Sequence, residues 1–588
     1  MRVSATQDGL TVRVIAGTTN VILGIDLEEG RRPGCLGFSI QRVDLGPSGA
    51  PVPPDKQAGR WLPNELRFPS DTGDQPVTTE RAPLQKFRWG DYTTSPGHAY
   101  RYRVVPRYGK PGQLTPDLAG SGGVTVEVTT EDNRSPRTAV FFNRGAAASK
   151  AFEDKFPAIK TEADLLGDTP LGQAARQWLS RGLEEALLAD LAQAEDGSFA
   201  LHAAVYEFQK PALLAGLKQA LDRGAEVKVA YHHRQKVTKG EPDPSDQTAG
   251  KNDAAVHAAG LDTVCVPRKA DPQGAIMHDK FVVLLEKQGG ELVPRAVWTG
   301  STNWTDGGIY GQLNVGHAVY DPEIAAAYEA CFQQLHADAA APALKKALAK
   351  LTPVPSPLPR ERRAWVIFSP QANLDMINLY AAICSSAKCL MVCAPFELHE
   401  TIRKALLQKP DGTLHYLLLD QQKSLGSPEE IKVQQGDPRN TISVATTLPS
   451  ALHDFQGHLL EGKESFMHAG IHIHSKIILA DPFGDDPVLV TGSANYSTNS
   501  TTTNDSNTLV LRGDTAVADI YATEFMRMFE HYHFRASEAA AQAAAKKAGK
   551  PSDLAPLSLK ESDAWTDPFY VAGSLEELDR RTFAGTAA

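Results

Sequence analysis

Three short segments of this 588-residue chain recur, in the same order, on either side of a proline-rich stretch at 351–360. Proline lacks a backbone N–H and cannot continue a helix, so LTPVPSPLPR is predicted to be a semi-rigid linker. The recurring segments are 204–221 with 394–407, 275–286 with 471–481, and 297–305 with 489–497. Ordered recurrence at similar spacing indicates that one folding unit is present twice.

The residue pattern changes near residue 165. Before residue 135, segments such as VTVEVTTED alternate β-branched and polar residues between Pro and Gly, which predicts an all-β sandwich. Its segment PGHAYRYRV resembles the late strand of fibronectin type III-like domains, and the resemblance makes Tyr100 a tyrosine-corner residue. After residue 165, helical stretches alternate with short apolar strands such as AEVKVAYHH, which predicts α/β halves with mixed sheets.

The predicted fold is therefore multidomain, an all-β sandwich followed by a duplicated α/β fold. The predicted units are a fibronectin type III-like domain at 1–135, a first α/β half at 136–350, a linker at 351–364, a second α/β half at 365–535, and a low-complexity segment with a C-terminal tail at 536–588.

Composition excludes several classes of protein. The chain is 42% hydrophobic and 22% charged, and no apolar run is long enough to cross a bilayer. No signal peptide is visible at the start, so a cytoplasmic location is predicted. The net charge of −10 argues against non-specific coating of nucleic acid. Six scattered cysteines without a C-x-x-C pair are predicted to be thiols, and no metal site is predicted.

Each α/β half carries an H-x-K triplet on an apolar run. Alternate residues of a strand share a face, so His278 is expected beside Lys280, and His474 beside Lys476. An imidazole next to an ammonium group suits an anion. Although one H-x-K is expected by chance, these two are the only copies in the sequence, and each is followed by one of its only two G-S-x-N motifs.

The G-S-x-N motifs are predicted to complete a phosphate cradle. Glycine allows a tight turn after a strand, and the side chains of Ser301, Asn303, Ser493 and Asn495 add hydrogen-bond donors. A plain β-turn followed by a helix cap is the structural alternative.

The spacing H-x-K-x-x-x-x-D followed by G-S-x-N resembles the signature of the phospholipase D superfamily, and the resemblance covers about residues 165–535. It implies a phosphodiester hydrolase that needs no metal or cofactor, forms a phosphohistidine, and builds one pseudo-two-fold site within a monomer. One imidazole would attack phosphorus while the other protonates the leaving oxygen. The resemblance assigns His278 as nucleophile and His474 as general acid, and the near symmetry leaves the reverse open.

The sequence departs from the signature at two places. Asp481 occupies the signature aspartate in the second half, but the first half has Leu285 there, with Glu286 on the other face of the strand. Family members usually place an acidic residue after G-S-x-N to orient a histidine. That region holds Asn314 in the first half and Asp505 in the second, so the site is predicted to be asymmetric.

Three further residues lie near the motifs, and two of them, Glu207 and Glu397, recur between the halves. Glu207 and Glu397 end apolar strands in the two halves and are interpreted as structural, although contact with the motif residues is the alternative. His472 lies on the same predicted strand face as His474, where it either lines the pocket or belongs to the core.

The resemblance leaves the substrate open among the classes on which members of the family act. Asp481 argues against tyrosyl-DNA phosphodiesterases, whose pattern lacks this aspartate. Hydrolysis of a phospholipid head group is the first choice, and a nuclease acting on DNA or RNA is the alternative. A third interpretation is an inactive phosphate-binding adaptor. A protein or a carbohydrate is the candidate partner of the N-terminal domain.

Overall fold

A computed structural model of the chain describes all residues outside the following positions: 48–58, 65, 72–76, 117–121, 134–136, 146–149, 236, 239–240, 244–245, 271–273, 362, 409–411, 438, 446–451, 454–458, 461–472, 548–557 and 588.

The N-terminal region is all-β. Its strands are β1 (Arg2–Gln7), β2 (Leu10–Ala16), β3 (Val21–Leu27), β4 (Gly37–Pro47), β5 (Arg60–Trp61), β6 (Pro63–Asn64), β7 (Val77–Thr78), β8 (Arg88–Asp91), β9 (His98–Lys110), β10 (Gln113–Pro116) and β11 (Val124–Thr129). One antiparallel sheet has the order β1-β2-β3-β8, and the other has the order β10-β9-β4-β5 with β11 also paired to β9.

Alternation along the strands builds the core of this region. In β11 the three valines are buried, whereas Thr125 and Glu127 between them are exposed, as the period of two requires. Apolar side chains from both sheets meet in one core. The Tyr100 hydroxyl accepts a hydrogen bond from the backbone N–H of Ser95 at 2.8 Å, which is the kind of contact that a tyrosine corner makes.

The first α/β half follows. Its elements are β12 (Thr138–Phe142), α1 (Lys150–Lys155), α2 (Glu162–Leu166), α3 (Pro170–Ser180), α4 (Leu183–Ala192), β13 (Phe199–Val205), α5 (Pro211–Asp222), β14 (Glu226–His232), β15 (Val237–Thr238), β16 (Glu241–Pro242), α6 (Thr248–Ala258), β17 (Cys265–Arg268), β18 (Lys280–Gln288), β19 (Glu291–Gly300), β20 (Val315–Val319), α7 (Pro322–His336) and α8 (Ala341–Leu351).

The second α/β half repeats the plan. Its elements, with the C-terminal helices, are β21 (Ala364–Ser369), α9 (Asp375–Ser386), β22 (Cys389–Ala394), α10 (Glu400–Leu407), β23 (Leu414–Leu419), α11 (Pro428–Gly436), β24 (Asn440–Val444), β25 (Leu452–His453), β26 (Leu459–Leu460), β27 (Ile477–Ala480), β28 (Val488–Gly492), α12 (Thr498–Thr502), β29 (Ser506–Arg512), α13 (Thr515–Lys547) and α14 (Leu575–Ala584).

The main sheets of the two halves have the same topology. The first runs β12-β20-β19-β18-β13-β14-β17, and the second runs β21-β29-β28-β27-β22-β23-β24. In each sheet the last three strands are parallel to one another, and the remaining pairs are antiparallel. Two mixed sheets with equal strand order and direction are what the sequence repeat predicts.

The helices α7 and α13 lie between the two main sheets. Their apolar side chains, including Tyr328 and Tyr521, join those of both inner sheet faces in one core. The outer faces of the sheets are covered separately, the first by α3, α4 and α5, and the second by α9 and α10. The two halves therefore share a buried interface, and the ends of β18 and β27 meet across it.

The described part of the C-terminal tail docks on the N-terminal region. The Trp565 ring stacks on Phe87 with centroids 5.2 Å apart, and its indole N–H donates to the Cys35 carbonyl at 2.9 Å. Helix α14 packs on β3. Arg88 reaches both Glu530 of α13, at 2.6 Å, and Asp579 of α14, at 3.1 Å. These contacts fix the β-rich region to the second α/β half.

The cysteines are free thiols, and all except the half-buried Cys265 are buried. None of the helices among the described residues is long and apolar enough to cross a membrane.

Candidate active site

The two motif histidines meet at the interface of the halves. Each lies just before a strand, since β18 begins at Lys280 and β27 at Ile477. The backbone N–H of His278 donates to the Asp505 carbonyl at 2.7 Å, and the backbone N–H of His474 donates to the Leu313 carbonyl at 3.0 Å. Each motif is thus held by a loop of the opposite half, and the two imidazole centroids lie 5.8 Å apart at an interplanar angle of 72°.

The imidazole Nδ1 atoms also bind across the interface. The Nδ1 of His278 lies 2.8 Å from the carbonyl oxygen of Ser493, and the Nδ1 of His474 lies 3.0 Å from that of Ser301. A carbonyl oxygen only accepts, so Nδ1 carries the proton in both rings. Each Nε2 of a neutral ring therefore keeps its lone pair, which is the tautomer that a nucleophile or a base requires.

The two motif lysines are buried beside the histidines. The ammonium of Lys280 donates to the His278 carbonyl at 2.7 Å, and that of Lys476 donates to the His474 carbonyl at 2.6 Å. Burial lowers the pKa of Lys280 to about 7 and that of Lys476 well below its ordinary value. Burial, followed by the nearby lysine charges, also lowers the pKa of both histidines well below 6.5. An anion bound here would oppose these shifts, because negative charge favours the protonated forms.

The glycines of the two G-S-x-N motifs permit a close backbone approach. Gly300 has φ 151° and Gly492 has φ 135°. A Cβ atom would lie 2.2 Å from the Val315 carbonyl oxygen at the first glycine and 2.5 Å from the Asn507 carbonyl oxygen at the second. No other residue fits these two positions without displacing the neighbouring strand.

The serines of these motifs support the turns. The Ser301 hydroxyl oxygen accepts from the Val315 N–H at 3.1 Å, and the Ser493 hydroxyl oxygen accepts from the Asn507 N–H at 3.0 Å. The Ser301 hydroxyl also donates to Asn314 Oδ1 at 2.8 Å. Both serine side chains are fully buried, and their hydroxyls bind backbone N–H groups of β20 and β29 rather than those of a following helix.

The asparagines of the motifs are held differently in the two halves. The side-chain amide of Asn303 donates to Glu207 Oε2 at 2.5 Å. In the second half it is the backbone N–H of Asn495 that donates, to the Ser500 hydroxyl at 2.8 Å. Within the described residues neither asparagine Oδ1 has a partner.

Asp481 lies at the far end of β27 from His474. It adopts φ 49°, and its carboxylate accepts from the backbone N–H groups of Lys388 at 2.8 Å and Cys389 at 2.9 Å. The aspartate therefore anchors the start of β22. Its first-half counterpart, Leu285, is buried in the apolar core. The replacement of this aspartate by Leu285 in the first half therefore changes a backbone anchor away from the histidines and not the histidine pair itself.

The two residues expected to orient histidines differ in what they do. Asn314 Oδ1 lies 3.2 Å from His474 Nδ1 and so shares that proton with the Ser301 carbonyl. The Asp505 carboxylate contacts neither histidine. It pairs with two buried guanidinium groups of the first half, those of Arg234 at 2.9 Å and Arg268 at 3.2 Å.

Sequence reasoning missed two groups next to His278. The Tyr206 ring lies 5.2 Å from the His278 ring and 5.0 Å from that of His232, and the ammonium of Lys280 lies 4.8 Å from its centroid. His232 Nδ1 accepts from the Met277 N–H at 3.2 Å, and burial lowers the pKa of His232 to about 3. The repeat aligned Tyr206 with Phe396, but nothing in the sequence distinguished His232.

Asp279, between the first histidine and lysine, is a further buried group that the motif did not single out. Its carboxylate accepts from the Asn507 amide at 2.7 Å, and burial raises its pKa to about 7. His472 lies outside the described residues, so its predicted position next to His474 stays a prediction.

Comparison with known proteins identifies part of the first half. Residues 187–336 match a family model described as "Cardiolipin synthase, PLD-like domain". This range contains His278, Lys280 and Asn303, so the resemblance drawn from the motifs is confirmed there. A search of curated proteins finds no match.

Several solved structures resemble parts of the chain, all with TM-scores below 0.5. Phosphatidylserine synthase from Haemophilus influenzae is 11% identical over 60% of this chain and 85% of its own, with a TM-score of 0.39. Polyphosphate kinase from Porphyromonas gingivalis is 10% identical over 55% of this chain, with a TM-score of 0.36, and only 42% of its own length is covered. The phospholipase D family member Nuc from Salmonella typhimurium is 18% identical over 28% of this chain and 93% of its own, with a TM-score of 0.20.

Proposed function

We propose that this chain is a phospholipase D-type phosphodiesterase in which a second PLD-like unit at 365–535 completes the PLD-like domain matched at 187–336. The observation that carries the proposal is the pair of imidazoles whose centroids lie 5.8 Å apart, each fixed through Nδ1 by a backbone carbonyl of the other half. The equal strand order of the two main sheets supports it.

The proposed reaction has two steps. The Nε2 of His278 attacks phosphorus and forms a P–N bond, while the P–O bond to the leaving alcohol breaks and the imidazolium of His474 gives its Nε2 proton to the leaving oxygen. In the second step His474 takes a proton from water, the oxygen of that water bonds to phosphorus, and the P–N bond breaks.

The hydrogen bonds of the two rings support this assignment. His474 Nδ1 has two acceptors within 3.2 Å, the Ser301 carbonyl and Asn314, whereas among the described residues His278 Nδ1 binds the Ser493 carbonyl alone. Additional acceptors favour the imidazolium form, which the general acid needs. The buried ammonium groups of Lys280 and Lys476, with the amide of Asn303, would offset the charge that develops on the phosphoryl oxygens.

The preferred substrate is a phospholipid, cleaved at its head group. The description of the family model that matches 187–336 names an enzyme of phospholipid synthesis, and the net charge of −10 disfavours a polyanionic nucleic acid. The N-terminal region is proposed to be a fibronectin type III-like domain, supported by its two-sheet strand order and by the Tyr100 contact.

Purified full-length protein should be incubated in EDTA with phosphatidylcholine vesicles, single-stranded DNA and RNA in separate reactions. The expected result is release of choline and phosphatidate without added metal. Cleavage of nucleic acid without choline release would replace the lipid assignment by the nuclease alternative. Loss of every activity in EDTA would contradict the metal-free mechanism, and intact substrates in all reactions would favour the adaptor.

The pH dependence of the reaction should follow the low pKa values of His278 and His474. Because one ring must be neutral and the other protonated, the competent fraction of free enzyme falls as the pH rises above both pKa values. We expect kcat/KM to be highest below about pH 6.5 and to fall about tenfold per pH unit above its maximum. A bound phosphodiester anion stabilises imidazolium, so kcat should peak at a higher pH than kcat/KM.

Initial rates at subsaturating and saturating substrate across the pH range would give both profiles. A kcat/KM that rises between slightly acidic and slightly alkaline pH would show that the required imidazolium is not the limiting form.

A further inference from the structure

The two halves of the proposed site differ in the contacts of an equivalent glutamate, which follows β13 in the first half and β22 in the second. Glu207, after β13, is half-buried and accepts from the Asn303 amide at 2.5 Å. Its counterpart Glu397, after β22, has a side chain that is 65% exposed and pairs with Arg403 at 2.9 Å. The repeat conserves the residue type within the chain, but only the first-half carboxylate contacts a motif residue.

Glu207 places negative charge beside the phosphate-binding groups of the first half. Burial raises the pKa of the Glu207 carboxyl, while the Lys280 charge and the Asn303 hydrogen bond oppose that shift. In turn, Glu207 favours the charged form of Lys280. For Lys476, burial and then the neighbouring charge of Lys280 lower the pKa and so act against the ammonium form. In the first half, therefore, the Glu207 carboxylate partly balances the positive charge of Lys280.

Glu207 also fixes the direction of the Asn303 side chain. An ionised carboxylate only accepts hydrogen bonds, so Asn303 must turn its Nδ2 toward Glu207. The second Nδ2 hydrogen remains for a ligand. A glutamine at position 207 keeps an acceptor for Asn303 but removes the charge, which makes the two effects separable.

We propose that Glu207 is a specificity-determining residue that makes this site reject phosphate monoesters and accept phosphodiesters. The proposal rests on the proposed function, since it requires a phosphate ester next to Asn303 and Lys280. A diester carries one negative charge on two free oxygens, and either of its two esterified oxygens can face Glu207 without charge repulsion. A monoester dianion brings a second negative charge into the same pocket and keeps only one esterified oxygen, so its repulsion from that carboxylate is larger. Hydrolysis converts a diester into a monoester, so the same repulsion expels the product.

The test compares the binding of dimethyl phosphate, a monoanion, and methyl phosphate, a dianion at mildly alkaline pH, by titration calorimetry. Removing the negative charge of Glu207 should strengthen binding in proportion to ligand charge. E207Q is expected to bind methyl phosphate about 100-fold more tightly and dimethyl phosphate about tenfold more tightly than the unmodified chain, a change in selectivity of about tenfold. The matched control E397Q, whose carboxylate is exposed, should leave both affinities within about twofold.

An E207Q variant with unchanged selectivity between the two ligands would overturn the proposal, because a purely structural role would move both affinities equally. If E207Q does not fold, the unmodified chain provides the measurement. Its affinity for methyl phosphate should fall with rising pH as that ligand loses its second proton and becomes a dianion. Dimethyl phosphate stays a monoanion, so its affinity at each pH corrects for titration of the protein. An affinity that rises instead would overturn the proposal.

These binding measurements need no turnover, so the two ideas fail separately. A chain that discriminates between the ligands as expected but cleaves no diester would sink the proposed function alone. A chain that cleaves diesters while E207Q leaves the selectivity unaltered would sink the role of Glu207 alone.

Discussion

Alanine at His278 or at His474 is expected to lower kcat for phosphodiester hydrolysis by at least about 10³- to 10⁴-fold, because each removes a group that forms a bond or moves a proton. The two variants should differ in what accumulates. With bis(p-nitrophenyl) phosphate, whose leaving group needs no protonation, His474→Ala should still form the P–N bond on His278 and then stall. His278→Ala should form no covalent adduct.

The measurement is an alkaline quench followed by mass spectrometry of the peptides that contain the two histidines. His257 is a suitable control because its side chain is 85% exposed on helix α6, so His257→Ala should retain normal turnover. Phosphate found on His474 in the His278→Ala variant would reverse the two roles. An adduct on neither histidine, with turnover intact in both variants, would exclude the mechanism.

Asp505→Ala should lower the free energy of unfolding by about 3–5 kcal/mol. The Asp505 carboxylate lies between the halves and pairs with Arg234 and Arg268, which are 4% and 0% exposed. Removing one partner of a buried ion pair leaves charge in a region that water does not reach. Burial raises the pKa of Asp505 against the effect of the two arginines, so the loss reflects buried positive charge that is less well balanced more than a strong attraction, although Arg268 keeps Asp338 at 2.7 Å.

Urea unfolding followed by circular dichroism would measure this loss as a lower midpoint. Asp486 provides the comparison, because it pairs with Arg512 at 2.6 Å with its own side chain 48% exposed. Asp486→Ala should cost less than about 1 kcal/mol. Equal, small losses for both variants would show that the Asp505 cluster is hydrated and does not bind the halves together.

Part of this architecture could be predicted because local patterns specify it. The recurring H-x-K and G-S-x-N motifs predicted two similar units, and the structure contains two main sheets with equal strand order. The alternation of β11 likewise predicted the β-rich N-terminal region. Patterns of this kind can be recognised in the sequence because strand periodicity and turn chemistry act over a few residues.

The histidine contacts could not be predicted for a different reason. The acceptors of both Nδ1 atoms are backbone carbonyls, which leave no trace in side-chain identity. The sequence therefore directed attention to Asp505, whose carboxylate instead pairs with two arginines of the other half. The difference between Glu207 and Glu397 is equally hidden, because it depends on whether a guanidinium, here Arg403, draws the carboxylate away.

The exchange of carbonyl contacts between the halves has a consequence for how activity can be lost. The proton position on His278 is set by Ser493, and that on His474 by Ser301, so neither unit holds its own imidazole in a reactive form. Any drift of one unit from the other lengthens both contacts in the same movement. Under the proposed function, opening of the interface would therefore release both imidazoles together, and activity would be lost with the contact between the halves rather than at one histidine alone.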